Sequence, residues 1–174
     1  MHPAASIILF TTASGLGYGL LFVLGLAASF GWLPPSTLFA VLTIGLALST
    51  VSIGLLSSTF HLGHPERAWR AITQWRSSWL SREGIMAILL YGPACYFSAG
   101  WILFEQQLFA WRAVSSILAI GAAATVFCTA MIYASLKSIP RWNNQWVSAV
   151  YLSLSLMTGA LWFVAIWAFF FPVP

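Results

Sequence analysis

The chain contains no aspartate, and charged residues of all kinds make up only 6% of its 174 positions. Water-soluble domains carry about 25% charged residues, so a soluble globular fold is excluded. Histidine is almost as scarce: His2, His61 and His64 are the complete set, and none falls in the middle of a long apolar stretch. A membrane cytochrome takes its axial haem ligands, usually histidines, from the spans themselves, so no haem is expected. The two cysteines, Cys95 and Cys128, stand far apart in separate apolar stretches without metal-site or redox spacing, and are read as packing residues. Zinc needs three or four protein ligands, and the His61–His64 segment has no cysteine or aspartate beside it, so no metal is expected in this chain. Ten-residue stretches of alternating polarity are missing too, which excludes an outer-membrane barrel. A small transporter would place ionisable groups inside its spans, and these spans have none.

What is present is apolar: 60% of the residues are hydrophobic. A bilayer core about 30 Å thick takes about 20 apolar residues in a helix to cross, and a charge at mid-helix costs about 2.5–3.5 kcal/mol on insertion scales. Five runs free of Asp, Glu, Lys and Arg meet that length, at Ser6 to Phe30, Ser36 to Phe60, Ile85 to Phe104, Ala113 to Leu136 and Trp146 to Phe171. They predict an all-α integral membrane protein, a single domain over 1–174 built as a bundle of five transmembrane helices. Met1-His2-Pro3 lacks a basic leader and the first run is longer than a signal core, so it is expected to remain as a span.

With five crossings, the N-terminus and the loops around 61–84 and 137–145 share one side. Arg67, Arg70, Arg76, Arg82, Lys137 and Arg141 lie there, against Arg112 alone on the other. The positive-inside rule therefore places the N-terminus and the His61 loop in the cytoplasm and the C-terminus outside. The net charge of +4 sits at helix ends, where it serves orientation and contact with lipid headgroups rather than nucleic acid. Trp32, Trp79, Trp111, Trp142 and Trp146 fall at predicted span ends, where an indole prefers the headgroup level. Gly15, Gly17 and Gly19 lie inside the first span, so they are not a phosphate loop; Gly15 and Gly19 form a small-xxx-small face for a neighbouring helix.

Polar chemistry is concentrated between Phe60 and Glu83. Pro65 suits the first turn of a helix and Glu66 complements its positive end, predicting a short interfacial helix between spans two and three. Trp69, Ile72, Trp75 and Trp79 recur at three- and four-residue steps on its membrane side. Arg67 and Arg70 fall on another face, and with Arg82 are candidates for partner docking or lipid contact. Ser81 is placed to cap the third span, with Glu83 in its first turn. His61 and Glu83 stand at one membrane level on consecutive helices, where they could share a pocket. A histidine titrating near neutrality beside a carboxylate suits a quinol, which releases protons as it gives up electrons near the headgroups.

The segment Phe60-His61-Leu62-Gly63-His64-Pro65-Glu66-Arg67-Ala68, followed by Trp79-Leu80-Ser81-Arg82-Glu83-Gly84-Ile85, resembles the membrane anchor subunit of dimethyl sulfoxide reductase and its relatives. Further agreement comes from His2-Pro3 with Phe10-Thr11-Thr12, from Ile132-Tyr133 through Ile139-Pro140-Arg141-Trp142, and from Leu156-Met157-Thr158-Gly159. The resemblance implies a haem-free anchor holding an iron-sulfur subunit and a molybdopterin catalytic subunit to the membrane, and exchanging electrons with a quinone, menaquinone or ubiquinone. It carries quinone binding over to His61 and to Glu83, and brings in Tyr133 as a residue of the same pocket; no role transfers to His64. Such anchors usually have about eight spans, so this chain, with five, is expected to be a short or truncated member. The alternative is a purely structural anchor or assembly subunit without its own quinone site.

Overall fold

The computed structural model describes residues 3–59, 69–70 and 73–172. Its regular elements are five α-helices: α1 (Pro3–Ser29), α2 (Thr37–Thr59), α3 (Trp79–Ile102), α4 (Trp111–Ala134) and α5 (Trp146–Phe170). Each is long and apolar enough to cross a membrane, and the molecule is a multi-pass membrane protein. Helices α2, α4 and α5 start and end within two residues of the predicted positions, and α1 starts slightly earlier, at Pro3 instead of Ser6. The larger departure is α3, which begins at Trp79 instead of Ile85. A rule that admits only uncharged residues stops at Glu83, whereas here the Arg82 side chain bends out of the helix and the Glu83 side chain packs inside. The interfacial helix expected from Pro65 lies largely outside the described residues; the described part of that connection holds short 3-10 turns at 69–70 and 73–74 and a turn over 75–77.

These helices are apolar on all sides, so small residues rather than a polar face determine which neighbours they meet. Helix α1 is the centre, lying against α2, α4 and α5, while α3 pairs chiefly with α4. Its glycines sort the partners. A side chain at Gly17 would meet the Ala47 carbonyl and Val51 of α2, and one at Gly25 would meet Ser115 and Ala119 of α4. Gly19 and Gly159 bring α1 and α5 so close that a Cβ on either would run into backbone of the other helix. Gly15 differs from the expectation: a Cβ there meets nothing within 4 Å. Its contribution to the crossing is its carbonyl, which accepts from the Ser155 hydroxyl at 2.6 Å.

The end distant from the histidine segment is closed by aromatic packing. Phe39 is fully buried among Trp101, Phe163, Trp167, Phe170 and Phe171, with ring centroids 5.6–6.0 Å away. Trp101 Nε1 donates to the Pro34 carbonyl at 3.0 Å, and Gln106 Nε2 reaches the Leu33 and Pro34 carbonyls at 3.3 Å, tying two loops together. Trp111 departs from its expected place in the headgroup region. It is 2% exposed, stacks on Phe97 at 5.3 Å and donates from Nε1 to the Phe97 carbonyl at 3.0 Å. Gly100 leaves the space that admits this indole, so a helix-end tryptophan has become part of the core. Trp32, Trp142 and Trp146 are exposed, as an interfacial role requires, and Trp79 is half-buried. Of the cysteines, Cys128 is buried, whereas Cys95 lies on the outer surface of α3.

Candidate functional site

The first turn of α3 is set by Ser78, not Ser81. Ser78 has extended backbone (φ −114, ψ 125) and its hydroxyl accepts from the Ser81 N–H at 3.4 Å. Two bonds from Arg82 support that early start: Nε donates to the Trp75 carbonyl at 2.9 Å and an Nη to the Arg76 carbonyl at 2.8 Å. The guanidinium also lies 4.2 Å from the centre of the Trp79 ring. With the helix begun at Trp79, Glu83 falls in the second turn rather than the first, directed into the bundle and only 4% exposed. An ionisable group taken out of water in this way needs a partner. Thr129 of α4 provides one, donating from Oγ1 to the Glu83 carboxylate at 3.4 Å and also to the Thr125 carbonyl at 3.1 Å.

Thr129 is also a wall of a partly open cavity of about 330 Å³ bordered by three helices. Thr11, Thr12, Ser14, Gly15, Leu16 and Tyr18 line it from α1, Val126 and Thr129 from α4, and Tyr151, Leu154, Ser155 and Thr158 from α5. A second cavity of about 220 Å³ shares Tyr18, Val126 and Ser155 with the first and is otherwise lined by Gly19, Phe22, Ala123, Leu152 and Leu156. The first is rich in hydroxyls and lies toward the N-terminal half of α1 and the C-terminal half of α4; the second is apolar and shares its α1 wall from Tyr18 to Phe22. Along α1, Thr11 to Phe22 covers about 16 Å at 1.5 Å per residue. Together they suit an amphipathic molecule with an oxygen-bearing head and a hydrocarbon tail.

The candidate residues divide as follows. Glu83 touches the cavity through Thr129 and is not itself a wall. Tyr133, one turn beyond Thr129, stacks on Tyr151 at 5.5 Å and meets Trp142 edge-on at 5.3 Å. Tyr151 stands between the main cavity and a neighbouring pocket that Tyr133 borders. Glu83 and Tyr133 are thus both one residue removed from the same space. Arg70 is exposed, its guanidinium 5.6 Å from the Trp69 ring, and Arg76 is paired in the same way with Trp75 at 5.3 Å. His61, His64 and Arg67 lie outside the described residues, and with them the expected meeting of His61 and Glu83.

Residues not singled out from the sequence are Tyr18, Thr129, Tyr151 and Ser155. One signal was available: Thr125, Thr129 and Tyr133 step by four along α4, and Tyr151, Ser155 and Thr158 occupy one side of α5. Hydroxyls in membrane helices commonly bond their own preceding turn, which conceals such a stripe. Here Ser14, Thr125 and Thr158 do so, to Phe10, Gly121 and Leu154.

The sequence matches the DMSO reductase anchor subunit (DmsC) family over residues 1–171. A subunit of the sulfite dehydrogenase of Allochromatium vinosum is 37% identical, over 91% of this chain and 53% of its own length. The chain therefore spans about half the length of this curated relative. No solved structure matches it. Five membrane-spanning helices and a match along nearly the whole chain agree, and the protein belongs to the DMSO reductase anchor subunit (DmsC) family.

Proposed function

We propose that this chain is a quinone-binding anchor that exchanges electrons with an iron-sulfur subunit and holds it, together with a molybdopterin catalytic subunit, at the bacterial cytoplasmic membrane. The observation that carries this reading is the pair of adjoining cavities between α1, α4 and α5, the first hydroxyl-lined and the second apolar. The larger is of the size that small-molecule sites use, and a buried carboxyl group adjoins it through Thr129. A quinol bound there would supply a pair of electrons to the partner's cluster and release a pair of protons. The chain's own residues would bind the head group, keep water from it and take up protons, with Glu83 and His61 as acceptors and Tyr133 bracing Tyr151 at the cavity wall. His61 comes two residues after the end of α2 and Glu83 lies near the start of the next span, which supports a common membrane level for the two.

The excess of arginine and lysine in the loops preceding α3 and following α4 supports a cytoplasmic position for that end. Arg67 and Arg70 are offered there to an acidic partner surface or to anionic lipid.

Purification from the native membrane in mild detergent, followed by identification of the accompanying proteins and quinone titration, tests the proposal. An iron-sulfur subunit should co-purify, and Glu83→Gln and His61→Ala should each weaken quinone binding by about tenfold, the effect of one hydrogen bond to a charged group. Unchanged binding in both variants would leave a purely structural anchor, and absence of an iron-sulfur partner would overturn the electron-transfer reading.

A further inference from the structure

The hydroxyls that line the main cavity are, with one exception, committed as donors or joined to a neighbour. Ser14 donates to the Phe10 carbonyl, Thr11 to Ile7, Thr12 to Ile8 and Ser155 to Gly15. Thr129 serves Thr125 and Glu83, Thr158 serves Leu154, and Tyr151 interacts with the Tyr133 hydroxyl. The serine and threonine protons are thus used, whereas Tyr151 has a neighbour in Tyr133 but does not spend its own proton on it. A quinone carbonyl oxygen is an acceptor and needs a donor.

Tyr18 is the exception. Its side chain is 1% exposed, it belongs to the walls of both cavities, and its hydroxyl is, among the described residues, the buried side-chain polar atom without a hydrogen-bond partner. Unlike serine or threonine, a tyrosine holds its hydroxyl too far from its own backbone to satisfy it there. Buried polar groups are almost always paired, so an unpaired one inside a membrane bundle calls for an explanation. Tyr91, which faces Tyr18 across a smaller neighbouring pocket, already shares a bond with Ser52 at 2.7 Å.

We infer that Tyr18 is the hydrogen-bond donor for a carbonyl oxygen held in the α1–α4–α5 cavity. A phenol hydroxyl both donates and accepts, so the same group serves the quinone oxygen and, after reduction, the quinol hydroxyl. This inference rests on the quinone reading above and names the residue through which that reading works.

The test is equilibrium dialysis of menadione, and of methylnaphthalene as the analogue lacking both carbonyls, against the full chain in detergent. Wild type is compared with Tyr18→Phe and with Val126→Trp, which fills the cavity. Tyr18→Phe should weaken menadione by about three- to tenfold, leave methylnaphthalene unchanged, and leave thermal stability equal or higher because the lost hydroxyl has no partner. Menadione binding unchanged by Tyr18→Phe but lost in Val126→Trp would overturn the inference and keep the quinone reading. Binding unchanged by Val126→Trp would overturn the cavity assignment and the inference together.

Discussion

The Thr129 hydroxyl of α4 donates to the Glu83 carboxylate of α3 at 3.4 Å, joining a buried acid to the wall of a cavity. Removing that donor leaves the carboxyl group without its α4 partner, at a cost of about 1–3 kcal/mol. Thr129→Val is therefore expected to lower the unfolding temperature in detergent, and Thr129→Ser to restore most of the loss. Equal stability of the valine and serine variants would show that the bond contributes nothing to the bundle.

A second expectation concerns the crossing of α1 and α5. A Cβ at Gly159 would collide with the Gly19 carbonyl group, so Gly159→Ala must push the helices apart; overpacking of this kind costs about 1–3 kcal/mol. Gly15→Ala, where the space around the position is open, should leave stability unchanged. Thermal unfolding of the two variants side by side checks the contrast, and a similar loss in both would contradict the assigned contact.

Tryptophans at two helix starts should behave in opposite ways. Trp111 is buried and Trp146 is 68% exposed. Trp111→Ala is expected to cost about 3–5 kcal/mol, as large-to-small changes of buried aromatics do, and Trp146→Ala within about 0.5 kcal/mol. Denaturation of both variants by a chaotropic detergent series measures the difference.

Five crossings were legible in the sequence because charge is intolerable at mid-membrane, and absence of charge is easy to read. The start of α3 was not legible, because its decisive event is the backward turn of the Arg82 side chain to the Trp75 and Arg76 carbonyls, a tertiary contact. Trp111 was misplaced for a similar reason: a tryptophan at a span end has the same local signature whether it meets headgroups or fills the space left by Gly100. Glu83 could be picked out as a rare acid, but its turn of helix and its Thr129 partner could not. Tyr18 shares a helix face with Thr11 and Ser14, but an aromatic within an apolar run reads as packing, and that its hydroxyl lacks a partner is visible only in the fold.

The Arg82 contact yields a prediction of its own. Arg82→Gln loses the fork that spans two carbonyls, and the turn at 75–77 should open. Hydrogen exchange over residues 73–78 is expected to rise severalfold, while exchange in α5 remains unchanged. A uniform rise across the molecule would mean that Arg82 supports the whole bundle instead of this turn.

The central claim is that a quinone head group occupies the space between α1, α4 and α5. A photoreactive azidoquinone, activated on the full chain in detergent and followed by peptide mass spectrometry, tests it most directly. Label should appear in α1 between Thr11 and Tyr18 and in α5 between Tyr151 and Thr158, and excess menadione should remove it. Competable label confined to other helices, with none in these two segments, would contradict the account.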